Sequence, residues 1–299
     1  MNISITGSLG NIGRRLTRNL IEKGHRVTVV SHSPERVKDI ERLGALAVIG
    51  SLEDTGLLLR AFDKADAVFT MVPPNYAATD LREYIRRSGE GYARAIKATG
   101  IRHVVNLSSI GAHIPDGPGP TGANHYVEQQ LNALEGVHVL HLRPGMFYTN
   151  FFGAIPLIRY RKIIGNNFEA SVKMALSHPK DIADIAADAL DTRYFTGSNI
   201  RYVAGDEKNG GEIASALGQA IGLPDLAWVG FSDEEMLQAM LQNGLSREMA
   251  TVYVLEIGVA LRDGTLLEDY RLHKGHASAK TGLREFAEEF SVVYRDSQG

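Results

Sequence analysis

Through residue 143, short apolar runs alternate with amphipathic stretches almost without interruption. The apolar runs predict strands over residues 3–6, 26–30, 45–49, 67–71, 103–107 and 138–142. Between them, apolar positions at helical spacing predict helices near residues 12–23, 34–42, 54–62, 78–99 and 123–134. The strands read as continuous apolar runs rather than strict alternations, as expected when helices cover both faces. Gly24, Gly44, Gly100 and Gly136 each fall between a helix and the next strand, where helices end. Right-handed crossovers then give an α/β fold with a doubly wound parallel sheet.

The rhythm breaks at residue 144. Residues 144–161 are aromatic-rich and irregular; a helix follows from Pro179, then a strand over 199–204 and helices over 212–221, 233–243, 247–261 and 283–290. No low-complexity linker and no internal repeat separates the halves. The expected organisation is a doubly wound domain over residues 1–150 and a smaller, mainly helical C-terminal lobe over residues 151–299. The lobe packs on the first domain without a flexible linker and leaves a cleft between them.

Composition narrows the chemistry. Hydrophobic residues make up 44% of the 299 positions and charged residues 22%, ordinary values for a globular enzyme. A net charge of -3 gives no reason to expect nucleic acid or an anionic membrane as a partner. The chain has no cysteine, which excludes thiol nucleophiles, disulfides, Cys-ligated zinc and iron–sulfur clusters. The first strand begins at Asn2, leaving no room for a signal peptide, and no apolar run approaches about 18 residues; the expectation is a cytoplasmic protein. No metal site is expected. His138 and His141 point to opposite faces of one strand, and His273 and His276 flank Lys274-Gly275 with no carboxylate or cysteine to complete a set.

The most informative stretch is Thr6-Gly7-Ser8-Leu9-Gly10-Asn11-Ile12-Gly13, between the first strand and the first helix. Glycines at this spacing permit a tight turn at Gly7, close approach of the main chain to phosphate at Gly10, and close helix packing at Gly13. Gly7, Leu9, Gly10, Asn11, Ile12 and Gly13 are therefore the candidate cradle for a dinucleotide pyrophosphate at a helix N-terminus. The second strand ends in Ser31-His32-Ser33-Pro34-Glu35-Arg36. No carboxylate stands at its tip to take a ribose 2′-hydroxyl, while Ser31, His32, Ser33 and Arg36, with Arg14, can donate to a 2′-phosphate. NADP(H) is favoured, with NAD(H) left open. Parallel sheets bind ligands beyond the carboxyl ends of their strands. That rule brings Met71, Val72 and Pro73, Ser108 and Ser109, and Pro144, Gly145 and Phe147 to the nicotinamide end.

The opening glycine motif, the Ser108-Ser109 pair, and Glu128 ahead of Leu142-Arg143-Pro144-Gly145-Met146-Phe147 carry a family resemblance. It continues through Pro179-Lys180-Asp181-Ile182-Ala183, Glu212-Ile213-Ala214, Gly222 and Gly264. The chain resembles the NmrA-like branch of the atypical short-chain dehydrogenases/reductases over nearly its whole length. The resemblance implies a Rossmann-like domain, a small C-terminal lobe and NADP(H) binding. It also implies one of two activities: a reductase of quinones, dyes or isoflavonoid-type substrates, or a catalytically silent redox sensor acting through a protein partner.

Departures from the pattern bear on the chemistry. Catalytic short-chain dehydrogenases use Tyr-x-x-x-Lys; Tyr126 is followed four residues later by Gln130, which cannot supply the charge. NmrA-like relatives often place a lysine four residues before the position matching Glu128, and here that position is Asn124. The catalytic candidates are accordingly Asn124, Tyr126 and Ser109, with His113 and His125 bordering the cleft. An asparagine can hydrogen-bond a carbonyl but cannot protonate it. An electron-poor conjugated acceptor needs less help, so hydride transfer from NADPH to a quinone-like or dye-like molecule is the expected reaction. Phe147, Tyr148, Phe151 and Phe152 suit such a partner. Arg82, Arg86 and Arg87 read as a solvated helix face, and residues 117–120 as a mobile lid. For assembly, a homodimer is the expectation on general frequency alone.

Overall fold

The computed structural model describes residues 1–273 and 279–297, and His276 lies outside them. The first half alternates as β1 (Asn2–Ile5), α1 (Gly13–Glu22), β2 (Arg26–Ser31), α2 (Val37–Arg42), β3 (Leu46–Ile49), α3 (Thr55–Phe62), β4 (Ala67–Thr70), α4 (Leu81–Thr99), β5 (His103–Leu107), α5 (Thr121–Asn132) and β6 (His138–Pro144). The second half carries β7 (Met146–Phe147), α6 (Ile155–Arg161), β8 (Ile163–Asn166), β9 (Lys173–Ser177), α7 (Pro179–Thr192), β10 (Ser198–Val203), β11 (Asp206–Asn209), α8 (Gly210–Ala220) and β12 (Ala227–Gly230). It closes with α9 (Asp233–Gln242), α10 (Arg247–Met249), a π-helical stretch (Ala250–Leu255), α11 (Glu256–Arg262), α12 (Glu268–Leu272) and α13 (Leu283–Asp296).

Seven strands form the central sheet in the order β10-β6-β5-β4-β1-β2-β3. Every pair is parallel. Successive side chains point to opposite faces, and both faces are filled. Ile3, Ile5, Val27 and Val29 pack with Leu16, Leu20, Ile182 and Ala186. Val68, Val104 and Val139 pack with Leu57, Phe62, Tyr92, Ile96 and Val127 on the other. Each such Val, Leu, Ile or Phe side chain, wholly removed from water, contributes about 1.5–3 kcal/mol, so apolar burial rather than surface charge holds the layers. The half-exposed Arg15–Asp184 pair between α1 and α7 adds little beside it.

Two features differ from the expectation. The chain returns to the central sheet after residue 150: α7 covers it beside α1, and β10 pairs with β6 as an edge strand. The C-terminal lobe is mainly helical, but it also holds a two-stranded sheet, β12-β8, and two strands of a three-stranded sheet, β11-β9-β7, whose third strand β7 lies just before residue 150. These strands are two to five residues long, too short to show a period. Among the described residues no helix is long and apolar enough to cross a membrane, and no cluster of three or more His, Asp or Glu could hold a metal ion.

Candidate functional site: a nucleotide cradle with a buried ionic floor

The loop between β1 and α1 is pulled tight on three sides. The Thr6 hydroxyl donates to the Met71 carbonyl at 3.0 Å and accepts from the Met71 N–H at 2.8 Å, joining the ends of β1 and β4. Gly7 has φ +95°, and a Cβ there would lie 2.3 Å from Met71 Sδ. Ser8 donates its N–H to Val30 O and its hydroxyl to Ser31 Oγ, 2.9 Å away. A Cβ on Gly13 would meet Ser8 O at 1.9 Å, so only glycine lets α1 start this close to the loop. Gly10 is the opposite case, with no atom within 4 Å of where its Cβ would be. Among the described residues, nothing accepts the N–H groups of Leu9, Gly10, Asn11, Ile12 or Gly13. Five consecutive free donors beside open space, at a helix N-terminus, fit the pyrophosphate of a dinucleotide.

Beyond β2, the buried Ser31 hydroxyl is occupied with Ser8 and with the Ser33 N–H. Ser33 donates to Glu35 at 2.6 Å, and His32 is exposed. Arg14 and Arg36 converge on one oxygen of Asp39, at 3.8 and 3.7 Å, while Arg42 takes the other at 2.9 Å. The two looser guanidinium groups thus stand together at the strand end, still open to solvent, with Asp39 holding both.

At the other end, α5 presents a polar stripe to the sheet. Asn124, Glu128 and Asn132 are spaced i, i+4, i+8 and share one face. Asn132 Oδ1 accepts from His141 Nε2 at 2.9 Å, His141 Nδ1 accepts from the Asn106 side-chain amide at 3.1 Å, and Asn106 Oδ1 accepts from the Thr70 hydroxyl at 2.9 Å. Thr70, Asn106 and His141 are register neighbours across β4, β5 and β6. Burial lowers the His141 pKa to about 4. The neutral ring is therefore favoured in the folded state, and its contribution is present above the ordinary value of 6.5 and lost as pH falls towards 4. Urea unfolding should show about 3 kcal/mol of stability disappearing over that window, and His141→Gln should flatten the slope. An equal slope in the variant would discount the network.

Glu128 and Arg143 are 2% and 4% exposed. Arg143 grips Glu128 with both arms of its fork, Nε to Oε1 at 2.9 Å and Nη2 to Oε2 at 2.6 Å. Ser108 donates to the same Oε1 at 2.5 Å. The remaining Arg143 nitrogen reaches Asp269 Oδ2 and the Tyr202 hydroxyl, each at 3.2 Å, and Tyr202 itself bonds Asp269. Burial works against the charge on Arg143, but the Glu128 bonds outweigh it and push the pKa up. Burial, reinforced by Asp269, raises that of Tyr202.

The expected site residues separate accordingly. Asn124 is half-buried, and its side chain has no partner among the described residues. Ser109, also half-buried, spends its hydroxyl proton on Ile110 O. Tyr126 does not join them: at about 100° per residue it lies some 200° round α5 from Asn124, and it donates to Glu90 on α4 at 2.8 Å. The Ser108 hydroxyl is committed to Glu128. Gly145 is a packing glycine, with its N–H on Ser177 Oγ and no room for a Cβ beside Ala175 O. Pro144 offers its carbonyl to Ile110 N. Met71, Val72, Pro73 and Phe147 are half-buried, and Phe147 packs on the fringe of the same cluster as Met71.

The aromatic run is corrected by packing. Tyr148 is fully buried, donates to Asp206 and stacks on Phe286, while Phe151 and Phe152 fill the same core. Only Phe147 of the four remains beside the site. Arg82 is not a solvated residue, since it binds Gly119 O and Glu256, and Glu256 also takes the Gly119 N–H. The 117–120 run is thereby clamped rather than left as a lid. His125 spends Nδ1 on Ala112 O, and both ring nitrogens of His113 are buried without a partner. Sequence reasoning missed the Arg143–Glu128–Asp269 unit, although an arginine closing an apolar strand is itself a signal that a buried acid must face it.

Residues 7–193, which include the whole cradle and β2 to β6, match the model of a family described as NAD(P)H-binding. The chain belongs to the NAD(P)H-binding family. One relative of this family member is the (4-alkanoyl-5-oxo-2,5-dihydrofuran-3-yl)methyl phosphate reductase of Streptomyces griseus. The two are 28% identical over 188 residues, 63% of this chain and 62% of that enzyme, so the match spans less than two thirds of the relative's length. Among solved structures, the NADPH-dependent quinone oxidoreductase QOR2 of Escherichia coli superposes with a TM-score of 0.78 at 20% identity, covering 96% of this chain and 98% of that one. Triphenylmethane reductase of Citrobacter sp. superposes with a TM-score of 0.82 at 16% identity, covering 98% and 100%. At such identities the two structures share a fold with this protein.

Proposed function

We propose that this NAD(P)H-binding protein is a reductase that uses NADPH to reduce a quinone-like or dye-like conjugated acceptor. Bound NADPH supplies the hydride. The N–H groups of Leu9 to Gly13 hold its pyrophosphate, and Arg14 and Arg36 take the 2′-phosphate. The reading rests above all on Asn124. It is the one member of the α5 stripe with a free side chain, and an amide there can orient an acceptor carbonyl or a ribose hydroxyl but cannot deliver a proton. Tyr126 is turned away, Ser108 is spent on Glu128, and no lysine follows. An acceptor that stabilises its own added charge can be reduced by binding and alignment, with water as the proton source. The activities of the quinone and dye reductases that share the fold support this class of acceptor.

Single-turnover mixing tests it. Protein loaded with NADPH and mixed with a simple quinone should lose nicotinamide absorbance far faster than free NADPH does. Bound NADPH that survives a panel of quinones and dyes would instead favour a redox-sensing regulator acting through a protein partner. Cofactor choice has its own test: Arg36→Ala should weaken NADPH binding about tenfold and leave NADH unchanged in a fluorescence titration. Equal losses for both would remove the 2′-phosphate from that corner.

A further inference from the structure

We propose that Arg143, Glu128 and Asp269 form a positioning unit that sets the reactive end of the site and ties it to the C-terminal lobe. The proposal builds on the reductase reading, because it concerns how Asn124 is presented. None of the three is a catalytic residue; each acts through another group. Glu128 lies one helical turn below Asn124 on the same face of α5, so whatever fixes Glu128 fixes the rotation of the turn that carries Asn124. Its Oε1 also receives the Ser108 hydroxyl, which pins the start of the loop after β5. That loop runs on through Ala112, whose carbonyl lies 3.4 Å from Arg143 Nη2. One guanidinium therefore holds both the α5 turn and the β5 loop, the two segments that bear Asn124 and Ser109.

The third partner comes from far along the chain. Asp269, on α12, is 126 residues from Arg143 in sequence and reaches it together with Tyr202 of β10. Every donor position of the Arg143 fork is thus used: Nε and Nη2 on the α5 side, Nη1 on the α12 side. A buried ion pair is a weak source of stability compared with apolar packing of the same volume. What the planar fork adds is direction, because it satisfies Glu128 and Asp269 together in only one arrangement. Asp269, at 24% exposed, is the member nearest solvent, so the unit can be loosened from its outer end without uncovering its centre.

Two variants of the full-length protein separate this role from simple structural support. In Asp269→Asn, amide exchange followed by mass spectrometry should rise about fivefold or more across residues 108–109 and the first turns of α5, segments to which Asp269 makes no hydrogen bond or ion pair. In the same protein the single-turnover rate with a quinone should fall about tenfold while the NADPH dissociation constant stays within about twofold. Ser108→Ala should cost a similar factor in rate without loosening α12. Exchange changes confined to α12 in Asp269→Asn would overturn the proposal, as would unchanged rates in both variants. If the parent protein transfers hydride to no acceptor, the reductase reading falls, and the exchange experiment alone still decides whether α12 and the Asn124 turn are coupled.

Discussion

The Gly10→Val protein is expected to bind NADPH at least about 100-fold more weakly than its parent, with an unfolding midpoint almost unchanged. The two halves of that expectation come from one observation. No atom lies within 4 Å of the position a Cβ would take on Gly10, so an added side chain strains nothing in the free protein. The space it enters is the space in front of the free N–H groups of Leu9 to Gly13, where a phosphate must sit to receive them. Fluorescence titration gives the affinity and thermal unfolding the control. Gly13→Ala should behave in the reverse way, because its Cβ would press to 1.9 Å from Ser8 O and force α1 off the loop. Undiminished affinity in Gly10→Val would remove the cradle from the account.

Glu128→Ala is expected to be the most damaging single change outside the glycine loop, lowering stability by about 3–5 kcal/mol. Removing the carboxylate strands the Arg143 charge at 4% exposure and deprives the Ser108 hydroxyl of its acceptor. Asp269 compensates only in part, because it meets a different nitrogen and stands nearer to water. Replacing both partners with apolar residues of similar volume, as in Glu128→Leu with Arg143→Met, should recover much of the loss, since desolvation then disappears with the charges. Urea unfolding of the three proteins decides the matter. A loss below about 1 kcal/mol in Glu128→Ala would mean that the pair is far better solvated than its burial indicates.

The first half of the fold is readable because its signals are local. Six apolar runs of strand length, five helically spaced stretches between them and glycines at four of the junctions follow one another, and each repeat supports the next. The short strands of the second lobe carry no such signal. β11 reads Asp-Glu-Lys-Asn and pairs with β9 antiparallel through its backbone, so neither hydrophobicity nor period could reveal it. β10 is visible as a strand but not as a partner of β6, because sheet membership is decided by contacts some 60 residues apart. At the site, the tight glycine loop between β1 and α1 is legible from its spacing alone. Sequence reasoning sets Tyr126 beside Asn124, although the helical repeat alone turns them to different faces of α5. The aromatic run after β6 misleads because an apolar face turned to a ligand and one turned to a core have the same composition. Asp269 has no local signal of any kind.

The placement of β10 governs the order in which the protein can be completed during synthesis. The sheet that carries the cofactor cradle does not gain its seventh strand when residue 150 leaves the ribosome. It must wait for α6, β8, β9 and α7 to emerge, and until residue 203 follows them the hydrogen-bonding edge of β6 stands bare. An open parallel edge is an invitation to pair with another chain. The nucleotide half therefore depends on part of its neighbour to finish its own sheet, and a nascent chain stalled between residues 150 and 198 is the form most exposed to misassembly.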